Sequence, residues 1–202
     1  MKRLFQISTM VLLTAWLGTA QASSEPVDIV RTTTDSVLER ISADRDSLRG
    51  DPGKMYNLVS ELIFPHFDFA IMSQWVLGEH WNTADEASRD GFVQQFRKLL
   101  VRTYATALLE FSRQVITYPP IEQKGGANTA LVKQQIAQES GGSIPIVYRL
   151  HNKSGEWKVF DVSVDGVSLV KTYRASFGSM IKDGSLAGLI DSLNTKNQQY
   201  AQ

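Results

Sequence analysis

Trp157-Lys158-Val159-Phe160-Asp161-Val162-Ser163-Val164-Asp165-Gly166-Val167-Ser168-Leu169-Val170-Lys171-Thr172-Tyr173-Arg174-Ala175-Ser176-Phe177 holds the change of period that decides the fold. Up to Val164 apolar side chains alternate, so that Phe160, Val162 and Val164 share one face of an extended strand. Asp165-Gly166 is turn chemistry. Beyond it Val167, Leu169, Val170, Tyr173, Phe177 and Ile181 recur in helical steps until Gly184 breaks the pattern.

Toward the N-terminus the period of two persists. Val115 to Tyr118, Ala130 to Ala137, Ile144 to His151 and Glu156 to Val164 read as four strands, separated by Pro119-Pro120, Gly125-Gly126, Gly141-Gly142 and Asn152-Lys153-Ser154-Gly155. The last two form a hairpin, in which Ile144, Ile146, Tyr148 and Leu150 line one face of the earlier strand. Before the strands, the pattern is helical. Pro26 opens a helix carrying Ile29, Val30, Val37, Leu38, Ile41 and Leu48 that ends at Gly50. Met55, Leu58, Val59, Leu62 and Ile63 make a second, stopped by Pro65, and Phe67 to Leu77 a third, closed by Gly78. Thr83 is the expected N-cap of a fourth, with Asp85 and Glu86 in its first turn. That helix carries Phe92, Phe96, Leu99, Thr103, Ala107 and Phe111 on one face. Leu100, Tyr104 and Leu108 form an adjoining stripe, widened by Val101 and Leu109. A helix apolar around most of its circumference sits at a centre or lines something apolar. After the strands, the helix through Ile181 is followed by a last one with Leu186, Leu189, Ile190 and Leu193. Helices, a run of antiparallel strands, then helices predict an α+β fold: N-terminal helices, a four-stranded antiparallel sheet and C-terminal helices.

The first residues carry a different message. Lys2 and Arg3, the largely apolar run from Leu4 to Leu17 and the small residues of Ala20-Gln21-Ala22 predict a signal peptide at 1–22 and one domain at 23–202. The apolar run falls short of the ~20 residues needed to span a bilayer. Lysine plus arginine and aspartate plus glutamate each number 21 and are scattered rather than clustered, which argues against a nucleic-acid partner. There is no cysteine, so disulfides and thiolate metal sites are excluded.

Catalytic motifs are missing as well. No GxSxG elbow, HExxH zinc helix, GxxxxGK[ST] phosphate loop or GxGxxG dinucleotide turn occurs. His66, His80 and His151 have no second histidine at ligand spacing, and near helix ends or turns they read as surface or capping groups. Asp161 and Asp165 are separated by about 13 Å along an extended strand, at ~3.3 Å per residue, too far for a cooperating acid pair. Asp161 reads as a buried structural acid. What remains is a surplus of apolar faces, whose periodicity does not distinguish a filled interior from a hollow one.

The Trp157 to Phe177 stretch, with its Val162-x-x-x-Gly166-Val167-Ser168 element, resembles the signature of the MlaC family. The likeness continues through the Pro52 turn, Val76-Leu77-Gly78, the Phe92-Phe96-Arg97 helix and Gly184. The resemblance implies a periplasmic carrier of phospholipid, shuttling between an outer-membrane lipoprotein-porin complex and an inner-membrane ABC transporter with an MCE-domain ring. It implies no reaction, no cofactor and no metal. The fold it implies encloses a hydrophobic lipid pocket, with the head group toward solvent. Among the periodic apolar faces, the expected lipid-binding wall is Val76, Leu77, Phe96, Leu100, Tyr104, Leu108, Ile146, Tyr148, Phe160, Val162, Val164, Val170, Tyr173 and Phe177. Its volume is expected near the upper end of the usual ~300 to 1,000 Å³. The short segment from Pro65 to Trp81, whose Phe67, Phe69, Met72 and Trp75 need no fixed partner, is the expected moving part. A competing class is a small enzyme or metabolite-binding domain with Asp161 or Tyr148 as acid-base group, and a third is a structural adaptor with a packed interior.

Overall fold

A computed structural model describes residues 25–111, 113–120, 128–139 and 141–200, and the expected signal peptide at 1–22 lies outside them. Helix α1 is Pro26–Gly50, entered through Pro26 at its first position, where no amide donor is needed. Its helical geometry lapses at Asp44 (φ −119°, ψ 21°). Helix α2, Pro52–Leu62, is capped by Asp51, whose Oδ1 accepts from the Lys54 amide. Pro65 sits inside a single 3-10 turn, Phe64–His66, and Asp68 then caps α3, Phe69–Leu77, by accepting from the Ile71 amide at 2.9 Å. Gly78 ends α3 at φ 58°, a left-handed geometry that favours glycine.

A short helix follows that the sequence does not announce, α4, Glu79–Thr83. Thr83 therefore ends a helix rather than starting one. The cap of α5, Glu86–Phe111, is Asp85, whose Oδ1 accepts from the Ser88 amide at 2.7 Å. Aspartate at that position adds a carboxylate charge at the positive end of the helix dipole, which a threonine hydroxyl cannot do.

The sheet has five strands rather than four: β1 (Ile116–Thr117), β2 (Thr129–Ala137), β3 (Ser143–His151), β4 (Lys158–Val164) and β5 (Val167–Ser168), antiparallel neighbours in chain order. The fifth arises because Asp165 and Gly166 both take positive φ (50° and 80°), the geometry of a tight hairpin. Val164 then faces Val167 across it. Val167 and Ser168 are thus strand, not helix, and α6 (Leu169–Asp183) starts after Ser168, whose Oγ accepts from the Lys171 amide. Helix α7 is Leu186–Tyr200.

One irregularity re-aims a strand. Ile146 pairs with Val164 and Tyr148 with Val162, but Arg149 pairs with Asp161 and Leu150 with Val159. Phe160 is the extra residue of a β-bulge. Beyond a bulge the inward and outward faces exchange, so Val159, Phe160, Asp161 and Val162 are consecutively buried.

The apolar residues segregate into three clusters. One joins α3, the first half of α5, α6 and α7 around Phe92, Phe96 and Phe177. A second joins α1, α2 and the second half of α5, and a third lies on the sheet with Val30 of α1. Among the described residues no helix is long and apolar enough to cross a membrane.

Candidate functional site

Between the sheet, α1, the second half of α5 and the turn into α3 lies a cavity of about 370 Å³. Helix α1 contributes Ile29, Val30, Thr33, Thr34, Val37 and Leu38, an i, i+1, i+4 stripe that faces inward at helical period. Helix α5 contributes Leu100, Val101, Tyr104, Ala107 and Leu108. The sheet supplies Ile116, Gln134, Ile136, Ile146, Tyr148, Val159, Val162 and Val164, and the 3-10 turn and α3 supply Phe64, His66, Phe67, Phe69 and Met72.

Seven of the fourteen expected wall residues meet here: Leu100, Tyr104, Leu108, Ile146, Tyr148, Val162 and Val164. The other seven, Val76, Leu77, Phe96, Phe160, Val170, Tyr173 and Phe177, belong to the filled cluster instead. Phe160 is displaced by the bulge, which gives its place on the wall to Val159. Val170, Tyr173 and Phe177 face the filled cluster from α6, where Phe96 of α5 contacts Tyr173 at 5.3 Å and Phe177 at 6.3 Å, nearly perpendicular. The whole α1 stripe was missed, although its apolar spacing is visible in the sequence. No sequence signal says which of two inward helices is covered by rings and which by empty space.

The volume lies near the lower end of the usual range rather than the upper. Phenylalanines narrow it on one side, since Phe64 and Phe69 sit edge to face at 4.8 Å and Phe67 stacks on Phe69 at 5.7 Å. The segment that carries them is anchored, contrary to expectation. The Asp68 amide donates to the Val159 carbonyl at 2.8 Å, Lys158 Nζ donates to the Pro65 carbonyl, and Asp68 Oδ2 lies 2.9 Å from His151 Nε2. His151 is consequently buried, not a surface group. Trp75 is the exposed exception, lying against Phe160 and under the Arg149 guanidinium.

Among the described residues the wall carries no formal charge at neutral pH. His66 is its one basic side chain, and burial first, then the Lys158 ammonium, lower its pKa below the ordinary imidazole value, with Glu156 opposing. Tyr104 is pushed up to about 12 by burial first and then by its neighbour and hydrogen-bond partner Tyr173. Burial, with Tyr118 adding, also raises the pKa of Tyr148. The polar groups where α1 meets the sheet are paired internally. Gln134, buried in the alternating row Ala130, Val132, Gln134, Ile136, donates through Nε2 to Thr34 Oγ1 and to the Tyr118 hydroxyl, both at 3.0 Å. Its Oε1 accepts from the Tyr148 hydroxyl at 2.9 Å. This network ties α1 to the sheet, and the polar residue within an apolar row was its readable sign.

Asp161 does not face the cavity. It is almost fully buried, accepts from Ser168 Oγ at 2.7 Å and from the Val170 amide at 3.2 Å, and has Arg149 at 3.9 Å. Its carboxylate holds the start of α6 to β4. Among the described residues no three histidine, aspartate or glutamate side chains gather where a metal could sit.

Comparison with known proteins finds similarity along nearly the whole chain. A family profile described as MlaC protein matches residues 31–195. A Haemophilus influenzae protein named intermembrane phospholipid transport system binding protein is 31% identical, over the whole of this chain and 94% of its own. A Pseudomonas putida toluene tolerance protein is 28% identical over 86% of this chain and 80% of its own. Among solved structures, a phospholipid-binding protein from Ralstonia solanacearum, determined in complex with a phospholipid, superposes with a TM-score of 0.80 at 30% identity, covering 89% of this chain and all of that one.

Proposed function

The chain belongs to the MlaC family, and from that premise we propose that it is a periplasmic phospholipid carrier, moving lipid between an outer-membrane lipoprotein-porin complex and an inner-membrane MCE-domain ABC transporter. It is made with the 1–22 signal peptide and works as the domain 23–202. The observation that carries the reading is an uncharged cavity walled mainly by aliphatic and aromatic side chains, in which Gln134, Thr34 and Tyr148 are bonded to one another. Two acyl chains contain on the order of 30 methylenes at ~0.8 kcal/mol each, so leaving them in water costs roughly 25 kcal/mol. A carrier therefore needs such an enclosure. A bilayer buries the same chains equally well, and release at a membrane complex requires little net work. At about 370 Å³ the cavity is narrow for a diacyl lipid, and loading widens it.

The acid-base alternatives are disfavoured by their surroundings. Asp161 is committed to the α6 cap, and the Tyr148 proton is donated to Gln134 within a site that raises its pKa. The test is organic extraction of gently purified protein followed by lipid mass spectrometry. Stoichiometric phospholipid is the expected result, and its absence from folded protein would overturn the proposal.

A further inference from the structure

Among the described residues, the wall holds one buried polar atom without a hydrogen-bond partner. Of the three threonines in succession on α1, Thr32 Oγ1 donates to the Asp28 carbonyl at 2.6 Å and Thr34 Oγ1 to the Val30 carbonyl at 2.8 Å, the usual i−4 arrangement. Thr33 lies between them and lines the cavity. Its Oγ1 is buried and has no hydrogen-bond partner among the described residues. A pure alkyl sleeve gains nothing from a hydroxyl at this place. Valine has the same shape and the same stiffness about χ1, and leaves no donor to satisfy.

Resting on the carrier reading above, we propose that Thr33 is a specificity-determining residue that donates a hydrogen bond to an ester carbonyl of the bound lipid. Helical threonine divides between two χ1 rotamers, and exchanging them swaps the positions of hydroxyl and methyl. The hydroxyl thus reaches the cavity once an acceptor is there. The acceptor must be neutral. Among the described residues no lysine or arginine lines the wall, and His66 is held toward its neutral form, so a phosphate inside would face no compensating charge. Among the polar atoms of a phospholipid, the ester carbonyls are neutral acceptors that lie where the acyl chains begin, and they follow the chains into an uncharged cavity while the charged head group stays out. A second neutral acceptor, water, satisfies the same hydroxyl without regard to the lipid, and the experiment separates the two.

The purified protein is incubated with vesicles holding equal parts dioleoyl phosphatidylglycerol and its dialkyl ether analogue, which has the same chains and head group but no ester carbonyl. Protein-bound lipid is then recovered, and both its total and its ester-to-ether ratio are measured by mass spectrometry. The expected ratio is about five-fold in favour of the ester, the discrimination of one ordinary neutral hydrogen bond. Thr33→Ser keeps it. Thr33→Val brings the ratio to about one through loss of ester uptake, and its lipid-free form melts at a higher temperature than the parent because a buried unsatisfied hydroxyl is gone. A parent ratio near one at full loading overturns the assignment and gives the hydroxyl to water, leaving the carrier reading intact. So does a Thr33→Val protein that keeps the preference, or one whose lipid-free form melts lower, which makes the hydroxyl structural. No uptake of either lipid by folded protein overturns the carrier reading and this site together.

Discussion

Helix α5 is filled along the inward face of its first half, whereas a stripe of its second half faces a cavity, although the apolar period runs through both. Phe92, Phe96 and Leu99 meet side chains of α6 and α7. Phe92 stacks on Phe96 at 5.6 Å, and Phe177 closes on it at 5.8 Å, edge to face. Leu100, Tyr104, Ala107 and Leu108, little more than two turns further on, face the cavity across from α1 and the sheet. What separates the halves is the partner. Opposite the first half, α6 presents Tyr173 and Phe177, rings that reach the α5 phenylalanines, whereas opposite the cavity-facing stripe α1 presents the smaller side chains Ile29, Val30, Thr33, Thr34, Val37 and Leu38. Apolar periodicity fixes which side of a helix is inward, and the volume of the opposing side chains fixes whether anything reaches it.

Substitution at matched positions is the most direct way to break that comparison. Phe96→Ala removes a fully buried ring from the filled half, and is expected to destabilise the protein by about 3–5 kcal/mol because the surroundings cannot collapse. Leu108→Ala only enlarges a space already present, and about 1–2 kcal/mol is expected, below the usual range for a filled core. Urea denaturation with the two-state slope checked measures both. Equal losses would show the second half to be as tightly packed as the first.

A charge sharpens the contrast by reading lipid rather than stability. Val162→Glu sets a carboxylate against the cavity wall with no cationic partner among its neighbours there. Desolvation of an unpaired charge costs several kcal/mol, so the expected result is a folded protein that retains less than about a tenth of the parent's lipid. Unchanged lipid content in folded Val162→Glu protein would remove that position from the wall.

The fold was legible because each element carries its own period and its own stop signal, from Pro26 and Gly50 to Asp165-Gly166 and Gly184. The misses share a cause, which is that they depend on partners distant in the chain. A two-residue strand such as Val167–Ser168 has no period to read and exists only through its pairing with Ser163 and Val164. The bulge at Phe160 shows only against β3, and reading β4 with a strict period of two put Phe160 on the wall instead of Val159. Asp161 was rightly placed as a buried structural acid because an aspartate inside an apolar strand has few other fates. His151 was misplaced because its carboxylate partner, Asp68, lies on a helix start that the local sequence does not connect to it.

The boundary between filled and hollow regions runs through the segment Pro65 to Trp81, and hydrogen exchange tests whether it moves. Its rings narrow the cavity, while its backbone is pinned at one end by Asp68 and Lys158. If loading widens the cavity by shifting these rings, amides of α3 lose protection by at least ten-fold when lipid is removed, and those of β3 and β4 do not. Equal protection in both states would place the opening elsewhere, with α1 the remaining wall held to the sheet by side chains.

The smallest expected effect lies at high pH, at the point where the two halves meet. Tyr104 lines the cavity yet is bonded to Tyr173 of the filled cluster, and its pKa is raised from 10.0 to about 12, by burial first and by that neighbour second. A tyrosine whose folded pKa lies above its unfolded value binds its proton more tightly when folded. The resulting stability is complete below pH 10 and is lost as pH rises from 10 through 12. Tyr104→Phe removes that contribution, because phenylalanine has nothing to ionise. Melting temperature is therefore expected to fall less steeply for Tyr104→Phe than for the parent between those limits, while the two curves run parallel at lower pH. Lipid enters the same measurement: acyl chains filling the cavity desolvate Tyr104 more completely and raise its folded pKa further, so the melting temperature of the loaded protein is expected to go on falling to higher pH than that of the lipid-free protein. Identical alkaline profiles with and without lipid would place Tyr104 with the filled half of α5 rather than on the surface the cargo touches.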